Sequence, residues 1–99
     1  MHIPVLQKEV LECLDPSKNK NYIDCTLGEG GHTLGILEKI LPKGKVLSID
    51  WDPVMIDNFK NKSKDYQENI IIVCDNFSNL KNISNEYKFK PDGILFARF

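Results

Sequence analysis

The segment that most constrains the fold is Ile70-Ile71-Ile72-Val73-Cys74. Five apolar residues without alternation describe a strand buried on both faces, the habit of strands in a parallel sheet. Around it, strand-like and helix-like segments alternate along the whole chain. A first helix is expected from about Val5 to Leu14, with Leu6, Val10 and Leu14 at a spacing of four and Leu11 beside them. Asp15-Pro16 ends it, because proline disfavours the helical conformation at the residue before it. Further strands are expected at Tyr22–Cys25, Lys45–Asp50 and Asp92–Phe96.

Between these strands lie three more helix candidates. One runs from about His32 to Leu41, with Leu34, Leu37 and Leu41 as its apolar stripe, and Pro42-Lys43-Gly44 stops it. The next starts where Asp52 offers an N-cap and Pro53 the first helical position, and it buries Met55, Ile56 and Phe59. The last spans about Ser78 to Tyr87 and turns Leu80, Ile83 and Tyr87 inward. The order is helix, then βαβαβαβ, which implies a Rossmann-like α/β sheet with helices on both faces and right-handed crossovers.

Composition narrows the function classes. The chain has 99 residues, 41% of them apolar and 27% charged, with a formal net charge of -1. That length suits one domain, and the balance is that of a globular chain, not a disordered one. A near-neutral charge provides no global field to steer a polyanion. Lys60, Lys62 and Lys64 are expected to be a solvated helix end. No apolar run reaches the roughly 18–20 residues that would span a bilayer, and Met1-His2-Ile3-Pro4 does not resemble a signal peptide. The three cysteines, Cys13, Cys25 and Cys74, form no C-x-x-C pair. Their odd number and wide spacing point to a reducing cytoplasm and to core packing, with no metal site.

The chemistry concentrates after the first strand. Gly28-Glu29-Gly30-Gly31 places three glycines in four positions between a strand and a helix start. An ordinary turn needs fewer, whereas a ligand approaching the backbone needs positions without a Cβ. Asp50 closes the second strand, 20 residues after Gly30. A carboxylate there can accept hydrogen bonds from ribose hydroxyls and would repel a 2′-phosphate. Asp52 by itself accounts for the turn that follows, which leaves Asp50 for the ligand. These features imply an adenosine-containing cofactor. The dinucleotide fingerprint wants glycine or alanine where Thr33 stands, which argues against NAD or FAD.

Asp24-Cys25-Thr26-Leu27-Gly28-Glu29-Gly30-Gly31-His32-Thr33 resembles motif I of the RsmH (MraW) family. Those are bacterial S-adenosylmethionine-dependent enzymes that methylate N4 of a cytosine in small-subunit (16S) ribosomal RNA. The resemblance continues at His2-Ile3-Pro4-Val5-Leu6, at Asp50-Trp51-Asp52-Pro53 (usually Asp-Arg-Asp-Pro), at Asp75-Asn76-Phe77 and at Asp92-Gly93-Ile94-Leu95. It implies a class I methyltransferase sheet that binds S-adenosyl-L-methionine. Gly30, Gly31 and His32 would line the methionine end of that cofactor, Asp50 would hold the ribose, and Phe77 would lie near the adenine. Without the resemblance, Phe77 reads as a core residue or a hydrophobic staple. The implied partner is small-subunit rRNA or the ribosomal subunit, in the cytoplasm and without a membrane.

The resemblance stops after Phe96. Family members continue with Asp-Leu-Gly-Val-Ser-Ser, whose aspartate also serves the cofactor site, whereas this sequence has Ala97-Arg98-Phe99. Residues 1–99 are therefore expected to be the N-terminal part of a methyltransferase domain truncated after its fourth parallel strand. The catalytic remainder and an inserted helical domain would be absent, and the catalytic residues unknown. Alone, such a chain is expected to transfer no methyl group, to bind cofactor weakly or undetectably, and to be marginally stable or oligomeric through the open fourth strand. The alternatives are a non-catalytic nucleotide- or partner-binding module and the front half of an NAD-dependent oxidoreductase.

Overall fold

The computed structural model describes residues 11–25 and 31–96. Four strands, β1 (Asn21–Asp24), β2 (Lys45–Asp50), β3 (Ile70–Cys74) and β4 (Gly93–Leu95), form one sheet in the order β3-β2-β1-β4. Each neighbouring pair is parallel. The connections carry α1 (Gly31–Ile40), α2 (Pro53–Lys62) and α3 (Leu80–Glu86), with short 3₁₀ segments at Lys64–Asn69 and Phe77–Asn79. The expected Rossmann-like topology is the observed one.

The strands' period of two divides the core between the faces of the sheet. Tyr22, Val46 and Leu95 join Ile36, Leu37 and Ile40 of α1 on one face. Ile23, Cys25, Leu47 and Ile49 join Ile83 of α3 and Phe89 on the other. Ile56 and Phe59 of α2 pack against Ile70, Ile72 and Leu34. Helical backbone occupies 11–14, where Leu11 and Leu14 rest on the first cluster. It stops at Asp15, whose φ of 49° leaves the helical region and whose N–H donates to the Leu11 carbonyl at 2.8 Å. The rest of the expected first helix, with Leu6 and Val10, lies outside the described residues.

Several side chains sit differently from what spacing implied. β3 is only half-buried because it stands at the edge of the sheet. Ile70 and Ile72 have partners on one face and Ile71 and Val73 on the other, yet water reaches them along the open edge. The fully buried side of α1 is Ile36, Leu37 and Ile40 with Thr33, while Leu34 and Leu41 are marginal. Tyr87 is exposed beyond the end of α3. Of the cysteines only Cys25 is buried. Cys74 ends the edge strand, and Cys13 faces outward between Leu11 and Leu14.

The start of α2 follows its sequence signal. Asp52 is extended, its Oδ1 accepts from the Val54 N–H at 2.9 Å, and Pro53 takes the first helical position. Asp52→Ala should therefore lower the free energy of unfolding by about 1 kcal/mol. A urea titration checks this, and an unchanged midpoint would mean that the cap is dispensable.

Candidate cofactor site

All the singled-out residues that are described lie at the carboxyl end of the sheet. β1 and β2 are neighbours, with Asp24 opposite Ser48, so the entry to α1 and the turn after β2 emerge side by side. Backbone bonds tie this end together: the Cys25 N–H donates to the Leu95 carbonyl, and the Asp75 N–H to the Asp50 carbonyl, both at 3.0 Å. Ligands in open parallel sheets bind at this end.

Gly31 and His32 are the first two residues of α1 and are half-buried, whereas Gly30 lies outside the described residues. The first turn of α1 contains no acidic residue. The dipole of α1 at this end therefore favours an anion such as an amino-acid carboxylate.

Asp50 is half-buried at the end of β2, and its Oδ1 accepts the Asp52 N–H at 3.0 Å. The expectation that Asp52 alone accounts for this turn is thus corrected. Asp52 caps α2, and Asp50 folds the turn before it. The turn bond orients the carboxylate, which suits it to a vicinal diol.

Phe77 opens the 3₁₀ segment after β3 and is 39% exposed, so it is not a core residue. Its ring meets that of Phe96 edge-on, with centroids 5.9 Å apart. Phe96, just past β4, is 54% exposed, and Trp51, next to Asp50, is 74% exposed. Three exposed aromatic rings thus follow β2, β3 and β4, a setting suited to a flat heterocycle. Spacing did not single out Trp51 or Phe96 for the site. Their position directly after strand ends was the available signal.

Asp75 organises the turn before Phe77. Its Oδ1 accepts from the Asn79 side-chain amide at 2.9 Å and from the Asn76 N–H at 2.6 Å. These two bonds, the Asn79 one first, hold its carboxyl below the ordinary carboxylate range. Cys25 behaves in the opposite way. Burial, with the negative charge of Asp24 second, pushes its thiol up to about 12, so it stays protonated and unreactive near neutrality.

Between α1, β1 and β2 lies a buried polar group that the glycine pattern did not reveal. Asp24, Thr33 and Ser48 are fully buried. Thr33 Oγ1 donates to Asp24 Oδ2 at 2.6 Å and lies 2.8 Å from Ser48 Oγ. The position read as a defective dinucleotide fingerprint is therefore a tie between α1, β1 and β2. The signal was present: Asp24 and Ser48 are polar residues inside otherwise apolar strands.

Among the described residues, no set of His, Cys, Asp and Glu side chains could hold a metal ion, and no helix is long and apolar enough to cross a membrane. A four-stranded parallel sheet in the order β3-β2-β1-β4 with helical crossovers is the Rossmann-like fold of class I methyltransferases. It superposes on the C-terminal domain of precorrin-6Y C5,15-methyltransferase from Rhodobacter capsulatus with a TM-score of 0.78 and 13% identity, over 100% of this chain and 51% of that one. A S-adenosylmethionine-dependent O-methyltransferase from Thermotoga maritima gives a TM-score of 0.70 at 16% identity, over 80% of this chain and 31% of that one. Within that class, the chain belongs to the MraW methylase family, whose profile matches residues 1–97. It is 44% identical over 96 residues to ribosomal RNA small subunit methyltransferase H of Dehalococcoides mccartyi, covering 96% of this chain and 28% of that protein. The chain thus spans less than a third of that curated relative's length.

Proposed function

We propose that residues 1–99 form the N-terminal, cofactor-facing part of a methyltransferase domain that uses S-adenosyl-L-methionine to methylate small-subunit ribosomal RNA in the cytoplasm. The acceptor is N4 of a cytosine, as the motif I resemblance implies. The observation that carries the reading is the convergence of the α1 N-terminus, Asp50 and Phe77 at one end of the sheet in a chain of the MraW family.

In this reading the amino end of α1, with Gly30, Gly31 and His32, receives the methionine portion. Asp50 accepts from the ribose hydroxyls, and Phe77 meets the adenine. The cofactor supplies an electrophilic methyl group on a sulfonium. The chain's own contribution is to hold that group in one orientation, and positioning of this kind supplies much of the rate of such transfers. The open edge of β4, with Ile94 and Phe96 exposed, is a surface for further chain or for a second copy.

The test is a titration of the ¹⁵N-labelled chain with S-adenosylhomocysteine, followed by amide shifts. Saturable shifts are expected at Gly31, His32, Trp51 and Phe77. Asp50→Ala should weaken the affinity about tenfold, as loss of a hydrogen bond to a charged group does. Absence of saturable shifts up to millimolar ligand, or equal shifts with NAD, would overturn the cofactor assignment.

A further inference from the structure

Asp24, Thr33 and Ser48 form a buried hydrogen-bonded tie between β1, α1 and β2. Asp24 is the last residue of β1, and Thr33 lies in the first turn of α1. Together they bracket residues 25–32, the whole glycine turn. The parallel register sets Asp24 opposite Ser48, so both side chains project from the face that α1 covers. Thr33 descends onto that pair.

The hydroxyl of Thr33 has one proton, and Asp24 Oδ2 receives it at 2.6 Å. The 2.8 Å contact with Ser48 is then a bond donated by Ser48. The donors run in one direction, from Ser48 to Thr33 to Asp24, and end on a buried carboxylate. Bonds to an ionised acceptor are shorter and stronger than neutral ones, and burial strengthens them further.

We propose that Thr33 is a positioning residue for the cofactor turn. Its hydroxyl fixes the separation between the end of β1 and the first turn of α1, and so sets where the Gly31 and His32 amides meet the ligand. The proposal rests on the reading of that turn as the cofactor site. A dinucleotide-binding turn has glycine at this place so that helix and strand touch directly. Here a hydrogen bond from Thr33 to Asp24 spans the gap between helix and strand.

Three variants separate positioning from general stabilisation. Thr33→Val keeps the shape and removes the tie. Thr33→Ser restores the hydroxyl. Ser48→Ala removes the β2 donor but leaves the bond from Thr33 to Asp24. Each is titrated with S-adenosylhomocysteine by amide shifts and melted in parallel. Thr33→Val should weaken the affinity about tenfold, while Thr33→Ser and Ser48→Ala stay within about threefold of the wild type. Ser48→Ala should melt at a lower temperature nonetheless. Unchanged affinity in Thr33→Val, or a loss in Ser48→Ala matching its loss of stability, would overturn the proposal. If Thr33→Val does not fold, an affinity for Thr33→Ser or Ser48→Ala outside that range overturns it as well.

If the wild type shows no saturable shifts with S-adenosylhomocysteine, the cofactor reading fails, and the tie is then judged from ¹⁵N relaxation. Faster motion at Gly31 and His32 in Thr33→Val but not in Ser48→Ala supports it. Equal motion in the two variants overturns it.

Discussion

Phe59→Ala should lower the melting temperature of the chain by at least about 12 °C in scanning calorimetry, given a Phe→Ala cost of about 3–5 kcal/mol and about 4–8 °C per kcal/mol in a domain of this size. Phe59 is 1% exposed and is the largest fully buried side chain among the described residues. It seats α2 on the edge strand β3 through Ile70 and Ile72, with Leu34 of α1 beside them. No other described element covers that end of the sheet so directly, so the cavity cannot collapse without moving the helix. A domain of about this length holds only about 5–15 kcal/mol in total, and the loss is a large share of that. Lys60→Ala, one residue along on the exposed side, should stay within about 0.5 kcal/mol of the wild type. A small shift for Phe59→Ala would show that α2 does not rest on β3.

Gly44→Ala should cost about 3 kcal/mol, measured from the urea midpoint at constant m-value. A Cβ built on Gly44 would lie 2.5 Å from the Lys20 carbonyl oxygen, 2.6 Å from Ile40 Cβ and 2.7 Å from the Ile40 carbonyl oxygen. All three are backbone atoms or the stub of a side chain, so none can swing away. The Ile40 carbonyl is also anchored, accepting from the Asn19 N–H at 2.8 Å and from the Gly44 N–H at 3.0 Å. Where space allows, Gly→Ala usually stabilises by about 0.4–1 kcal/mol through the unfolded chain. The sign of the change is therefore decisive, and a stabilised variant would show that the turn between α1 and β2 is looser than this.

Much of the architecture was legible because its signals are local. The cap at Asp52, the stop at Asp15-Pro16 and the bounds of β2 and β3 depend on residues within a few positions of one another, and each is found as expected. The candidate site was legible in part for the same reason. A glycine turn after the first strand and an acid at the end of the second are fixed by their place along the chain. The second role of Asp50, in folding the turn toward Asp52, was not visible, because Asp52-Pro53 was already a sufficient signal for a turn there.

The chain's periodicities by themselves determined an alternating α/β order and a parallel sheet, since apolar spacing and turn chemistry act over a few residues. Only the tertiary structure decided which strands are central. Ile70–Cys74 is as apolar as any strand here, yet it stands at the edge, because strand order depends on how the crossovers pack and no local pattern encodes that. The same holds for the tie between Asp24, Thr33 and Ser48, which are far apart in sequence and meet only through the register of β1 on β2.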